Sequence, residues 1–323
     1  MYLPQYVNTL GQDLLHRYGE PVHKIALDVG FTCPNRDGSI GVGGCTFCNN
    51  ASFSPNQNQP SLVQQIENGR RAVFRITGAR LYLAYFQAYT NTYAEINRLA
   101  ALYDEALAQP DVVGLSVGTR PDCVSEAVLD LLASYRQRGY EVWLELGLQS
   151  AFDETLQRVN RGHGFAAYRQ TVRAAQARGL PICTHLIVGL PGEGRTHNLQ
   201  TLAQVLELGV QGLKLHPLHV VRHTILAVQW KQKQYAPLGK DEYIDIACDL
   251  IERTPPQMLF HRLTATAPNN ILLAPQWCAE KWPIINGIAA ELARRGSYQG
   301  KKCQGNKCQG KKMDRLPAFD MDQ

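Results

Sequence analysis

Six mainly apolar runs recur along the first 220 positions. Each is followed by a stretch in which apolar residues return every three or four places. The runs are HKIALDVG (23–30), RLYLAYFQ (80–87), VVGLSVG (112–118), EVWLELG (141–147), PICTHLIVG (181–189) and GLKLHPLHV (212–220). A strand-length run followed by an amphipathic helix, repeated, predicts βα units on a parallel sheet. Among the helices, one opens at Ser61 and one ends before Pro110. A third carries its stripe on Val124, Ala127, Val128, Leu131 and Leu132 and stops at Gly139. YRQTVRAAQARG and NLQTLAQVLELG also end in glycine, the residue that most easily takes the left-handed conformation closing a helix. A closed eightfold barrel typically takes about 250 residues, and six units fit a partial (β/α)6 TIM-like barrel better. A doubly wound open sheet is the alternative. Both architectures place ligands at the carboxyl ends of the strands.

Past residue 222 the pattern loosens. A helix over DEYIDIACDLIERT ends at Pro255-Pro256, and a strand in QMLFHRLTA and a helix in WPIINGIAAELARRG follow. The expected organisation is a core barrel over 1–221, a small C-terminal α/β extension over 222–296 packing on it, and a disordered basic tail over 297–323. KKCQG and NKCQG in that tail form a short imperfect repeat. Its Cys303 and Cys308 read as a tail duplication, with metal binding as the alternative.

Composition adds bounds. Hydrophobic residues make up 45% and charged residues 19% of the 323 residues, as in a globular enzyme. No apolar run reaches the roughly 18 residues of a membrane span, and the first 20 residues lack the basic and apolar regions of a signal peptide. The expected location is therefore cytoplasmic, where thiols stay reduced. Nine cysteines, an odd number, argue against a disulfide framework and for metal ligation plus buried thiols. The net charge of +5 owes five lysines to GKKCQGNKCQGKK, and so does not by itself mark a nucleic-acid surface.

The chemistry concentrates in DVGFTCPNRDGSIGVGGCTFCNN, residues 28–50, where Cys33, Cys45 and Cys48 are spaced C-x11-C-x2-C. Asp37-Gly38 and Gly43-Gly44 let the chain double back, so that Cys33 can rejoin the pair. Three readings stand. A structural zinc site wants four ligands, one of them from elsewhere. Incidental core thiols fit poorly in a polar, glycine-rich loop. A [4Fe–4S] cluster ordinarily takes four thiolates, and three would leave one iron open to an external ligand.

Three cysteines after the first strand, with Phe47 before the last, resemble the radical S-adenosylmethionine (SAM) superfamily. The eleven-residue gap departs from the superfamily's usual C-x3-C-x2-C and is similar to the YhcC/YtqA-type subgroup. That subgroup is related to the Elongator catalytic subunit and to oxygen-independent coproporphyrinogen oxidase. HKIALDVGFTCPNRDGSIGVGGCTFCN, YLAYFQAYTNTYA, VGTRPDCV, VWLELGLQSA, NRGH and HLIVGLPGEG carry the likeness, from about residue 5 to 295.

The resemblance implies an enzyme that reductively cleaves SAM at a cluster held by Cys33, Cys45 and Cys48, producing a 5′-deoxyadenosyl radical. Gln87 and Tyr89 stand where the superfamily usually has Gly-Gly-Glu facing the methionine ammonium. Glu145 and Gln149 fit the ribose hydroxyls or the methionine moiety. Arg161 fits the carboxylate, with a helix-end salt bridge as its alternative, and His163 fits a helix start or a contact to substrate or SAM. Gly189 belongs to a glycine-bearing element that packs on adenine. LIVGLPGEG lacks the Walker and G-x-G-x-x-G patterns, so it is not a phosphate loop. Lys214, His216, His219 and His223 suggest a substrate pocket or proton relay. Cys123 reads as a helix-start cysteine or a radical-quenching thiol, and Cys183, Cys248 and Cys278 as core thiols.

The implied partners are an electron donor such as flavodoxin or ferredoxin and tRNA, modified at the wobble uridine. The alternatives are a radical SAM enzyme acting on a small molecule or tetrapyrrole, and a non-catalytic zinc-binding barrel.

Overall fold

In the computed structural model, which describes residues 2–49 and 60–303, seven parallel strands form one curled sheet. Its strands are β1 (Val22–Leu27), β2 (Leu81–Phe86), β3 (Val112–Thr119), β4 (Glu141–Gln149), β5 (Ile182–Val188), β6 (Gly212–Pro217) and β8 (Leu259–Arg262). They lie side by side in chain order, β1-β2-β3-β4-β5-β6-β8. The partial barrel expected from the sequence is what forms, with seven strands rather than six. The additional strand comes from QMLFHRLTA, where Leu259 and Phe260 pair with Gly212 and Leu213 of β6. Two residues, Val220–Val221 (β7), pair antiparallel with Leu272–Ala274 (β9) in a separate small sheet.

Helices cover the outer face. Among them α2 (Leu62–Thr77) starts in a capping box between Ser61 and Gln64 and ends at Gly78 in the left-handed conformation. The helix α4 (Glu126–Gln137) is capped by the Ser125 side chain. Outward side chains such as Leu27, Phe86, Leu115, Val117, Leu144 and Leu146 pack under these helices in the main core. Period 2 along each strand turns the alternate residues inward. At the bottom the inward set is apolar: Val22, Leu83, Trp143, Cys183 and Leu259, closed by Leu10 and Leu14 of α1 (Leu10–Tyr18).

β3 and β4 meet so closely at Gly114 that an added Cβ would lie 1.9 Å from the Glu141 carbonyl oxygen. The obstacle is backbone and cannot swing away. Gly114→Ala is expected to part the two strands and cost about 3 kcal/mol, the upper range for overpacking. An unchanged urea midpoint would refute this.

Within residues 297–303, expected to open the tail, Ser297 and Gln299 are buried while Tyr298, Lys301 and Lys302 are exposed. The Gln299 side chain is fully buried and donates to the carbonyls of Pro255 (2.7 Å) and Met258 (2.8 Å). Cys308 and the rest of the tail lie outside the described residues. No helix among those described is long and apolar enough to cross a membrane.

Candidate active site

Just past the carboxyl end of β1, the chain turns out of the sheet and folds the eleven-residue gap onto itself. Ile40 N donates to Pro34 O (2.8 Å), Gly44 N to Asn35 O (2.7 Å), and Asp37 and Val42 form an antiparallel bridge. Gly43 and Gly44, at φ of 83° and 80°, take the left-handed turn that returns the chain to Cys45. Cys33, Cys45 and Cys48 are all free thiols, Cys45 buried and the other two half-buried. They are neighbours: burial, and then the nearby Cys45, push the Cys48 thiol up to about 12, with Cys33 adding to the rise and Arg36 opposing it.

The groups that reach these sulfurs are N–H donors. Arg161 Nη1 lies 3.5 Å from Cys45 Sγ, Asn35 Nδ2 lies 3.9 Å from the same atom, and Arg36 Nη1 lies 4.0 Å from Cys48 Sγ. A shell of donors suits sulfur that carries negative charge, as metal-bound thiolate does.

A second loop fixes the first. Thr46 N donates to Val159 O (3.0 Å), and Asn160 Nδ2 to Gly44 O (2.8 Å). Asn35, 1% exposed, donates from Nδ2 to Asn160 O at 2.5 Å. Its Oδ1 would sit 2.4 Å from a Cβ at Gly41 and 2.9 Å from one at Gly162, so both positions must lack a side chain. Sequence reading passed over Asn35 and Asn160 because asparagine in a turn is ordinary. It also passed over Arg120, a buried guanidinium that grips Asp122 through two nitrogens and donates to Arg161 O at 2.8 Å.

The predicted residues of the mouth fall in two groups. Arg161 stretches from Cys45 back across β4, donating from Nη2 to Gly147 O at 2.6 Å. An added Cβ at Gly147 would stand 2.8 Å from that nitrogen and 2.9 Å from Gln149 Nε2. Gln149 and Tyr89 hold positive φ, 80° and 60°, at the ends of β4 and β2. The Arg36 guanidinium lies 5.9 Å from the Tyr89 ring centre. Gln87 N bonds Leu27 O across the strand ends, and Gly189 (φ 95°) offers its carbonyl to Tyr235 Oη at 2.9 Å. His163 is half-buried, with a buried Nε2 that has no partner, and desolvation lowers its pKa to about 3. Cys123 is set apart in a rim cleft of about 690 Å³ lined with Thr92, Tyr93, Arg98 and Asp122. Burial, then the Asp122 charge, push its thiol up to about 12. His223 lies on an exposed turn, and His219 is partly buried with Nδ1 unpartnered.

Below the mouth lies a polar layer that the sequence reading had not assembled. Glu145, fully buried, accepts from Lys24 Nζ, Lys214 Nζ and Ser116 Oγ, and pairs with His185 Nε2 (2.7 Å) and His261 Nδ1 (3.4 Å). Lys214 also donates to Tyr85 Oη at 2.8 Å, and Lys24 lies 3.1 Å from His261 Nδ1. Burial alone would raise the Glu145 pKa. The ammoniums of Lys214 and Lys24, with hydrogen bonds from His185 and His261, outweigh it and hold the carboxyl well below its ordinary range. Burial lowers Lys24 to about 8, Glu145 opposing, so it remains an ammonium at neutral pH. Burial, reinforced by neighbouring cations, also keeps the histidines neutral: His185 at about 4, His261 at about 3 and His216 well below its usual value. The ligating atoms of Cys183, Glu145 and His261 lie within 4.8 Å of one another. Two ammoniums already hold the carboxylate.

A parallel half-barrel carrying three free cysteines on its first loop, above a polar interior, defines a class. The sequence profile of the radical SAM superfamily matches residues 32–205, and that of the radical SAM C-terminal domain matches 210–294. The chain belongs to the radical SAM superfamily of enzymes, whose members bind a [4Fe–4S] cluster and SAM. Within it, the chain is 53% identical over 283 residues to protein YhcC of Escherichia coli K12, covering 87% of this chain and 91% of that protein. YtqA of Bacillus subtilis is 40% identical over 297 residues, 91% of this chain and 92% of that one. Mouse Elongator complex protein 3 is 28% identical over 160 residues, 48% of this chain and 28% of that one. Among solved structures, the Elp3 protein of the archaeon Methanocaldococcus infernus superposes with a TM-score of 0.65 at 18% identity. That match covers 86% of this chain and 64% of the other, a likeness of fold.

Proposed function

We propose that Cys33, Cys45 and Cys48 hold a [4Fe–4S] cluster at which the chain reductively cleaves SAM. The observation that carries this reading is the trio of neighbouring free thiols approached by N–H donors. When bound, such a cluster supplies the electron that splits SAM into methionine and a 5′-deoxyadenosyl radical, which takes a hydrogen atom from the substrate. The chain's own residues orient and shelter that chemistry. Arg161 and Asn35 donate toward the Cys45 sulfur, and Gly147 lets the Arg161 fork lie flat across β4. Gln149, Gln87, Tyr89 and Gly189 bring polar and backbone groups of three strand ends, those of β4, β2 and β5, to the place where SAM would lie. Lys214 and His216 belong to the wall and floor beneath.

Anaerobic reconstitution tests the reading. About four irons per chain, and 5′-deoxyadenosine on adding SAM and dithionite, are expected. Stoichiometric zinc without iron would overturn it. Arg161→Lys keeps the charge and loses the two-point span. About tenfold weaker SAM binding with full iron content is expected, and loss of the iron instead would make Arg161 a structural residue.

For the substrate we propose tRNA modified at the wobble uridine, with a flavodoxin- or ferredoxin-type protein as electron donor. The kinship with Elongator complex protein 3 supports the first. Nucleoside mass spectrometry of tRNA from a deletion strain decides it, since an unchanged nucleoside profile rules out this substrate. The polar barrel floor favours a second reading, in which a small acidic molecule is the substrate or a co-substrate.

A further inference from the structure

In closed βα barrels the interior is filled by layers of branched apolar side chains. Here the level above the apolar plug consists of Lys24, Tyr85, Ser116, Glu145, His185, Lys214 and His261, one residue from each of the seven strands. Its charges do not balance. Glu145 is the single carboxylate bonded into the layer, against the ammoniums of Lys24 and Lys214. A third cation, Arg262 at the mouth end of β8, acts on Lys214, His216 and Tyr85 and has no carboxylate partner among the described residues.

Donors outnumber acceptors as well. Each ammonium has three hydrogens. Lys24 donates to Glu145 beside His261 Nδ1, which itself donates to Glu145, and Lys214 donates to Glu145 and Tyr85, which leaves at least one hydrogen on each. The layer is also reachable. The Lys24 side chain is 20% exposed and that of His185 16%, and Ala26, the next inward position on β1, is open to solvent. His216 adds a buried ring nitrogen, Nε2, without a partner, its ring centre 5.7 Å from that of His185.

We propose that this floor seats the anionic group, carboxylate or phosphate monoester, of a small molecule entering the barrel, with Lys24, Lys214 and Arg262 as its cationic contacts. The inference rests on reading the barrel as a SAM-dependent reaction chamber, since it makes the bound molecule that chamber's substrate or co-substrate. The carboxylate of SAM is a separate anion, placed by that reading at the cysteine loop rather than on the floor. A terminal anionic group suits the site better than a phosphodiester backbone, because Lys24 and Lys214 lie inside the barrel and only Arg262 stands at its mouth.

The test is calorimetric titration of the reconstituted enzyme with inorganic phosphate and, separately, with succinate, at constant ionic strength in chloride. Saturable binding of one probe at one site per chain is expected. The probe that binds identifies the group as phosphate or carboxylate. Lys24→Met is expected to weaken that binding at least tenfold. Arg262→Gln, at an exposed position that the fold does not need, should weaken it several-fold. Failure of both probes to saturate, binding unaltered in Arg262→Gln, or displacement of the probe by SAM would overturn the proposal. Production of 5′-deoxyadenosine is scored on the same preparations. Anion binding without SAM cleavage would therefore sink the radical reading alone, and cleavage without anion binding would sink the floor alone.

Discussion

Cys45→Ala is expected to abolish iron binding after anaerobic reconstitution and, with it, all production of 5′-deoxyadenosine from SAM. Of the three thiols, Cys45 is the buried one and the one that both Arg161 and Asn35 approach. Its removal takes away a ligand and leaves those two donors facing a methyl group. The barrel should nevertheless fold. The loop's return is held by backbone bonds, Gly44 N to Asn35 O and Thr46 N to Val159 O, that do not involve the thiol. Far-UV circular dichroism should match the wild type. A variant that still yields 5′-deoxyadenosine would remove Cys45 from the ligand set. One that fails to fold would mean that the loop supports the barrel rather than being supported by it.

Replacing Glu145 should do the opposite, damaging the fold more directly than the chemistry. Glu145→Ala leaves Lys24 and Lys214 inside the barrel with no counter-charge. Breaking a buried pair in this way costs about 3–5 kcal/mol. Glu145→Gln should lose slightly less, because an amide oxygen can still accept one hydrogen bond. The sign of the pH dependence follows from the lowered carboxyl pKa. The wild-type contribution is fully present above the ordinary carboxylate value of about 4.3, and it is lost as pH falls through the still lower folded value. The gap in unfolding free energy between Glu145→Gln and wild type should therefore be widest near pH 7 and narrow steeply below pH 4. Urea melts at both pH values measure it, and a gap independent of pH would show that the carboxylate is not held ionised by the lysines.

Much of the architecture could be read from the chain because parallel strands buried on both faces announce themselves as continuous apolar runs. The strands β1 to β6 coincide with the six apolar runs, with ends shifted by a few residues. β8 reads as a strand in the sequence, but its place in the main sheet beside β6 does not. Only four residues long and separated from β6 by α8 (Ile225–Lys231) and α9 (Lys240–Arg253), it carries no sign of the sheet it joins. The cysteine loop was legible because its spacing and turn residues are local.

The polar floor was not legible. Lys24, Glu145, Lys214 and His261 are 237 residues apart at the extremes and meet only through the curl of the sheet. Along any one strand, each looks like the polar half of an ordinary alternation. Glu145 illustrates the point. Read along β4 it suited a contact to ribose hydroxyls, whereas five side chains from five other strands converge on its two oxygens.

The half-barrel does not close, and this makes the N-terminal segment more than a plug. A parallel sheet that stops at β8 presents a row of unpaired backbone groups, a template for another chain. Here Phe260 N donates to Asn8 O at 2.9 Å, Thr9 bridges Phe260 in parallel, and Gln299 Oε1 accepts from Asn8 N at 2.8 Å. Residues 8 and 9 thus act as a guard rail along the free edge, pinned by the Gln299 side chain from almost 300 residues further along the chain. Stripping that rail would bare the backbone groups of β8 and turn the covered edge into a surface for self-association.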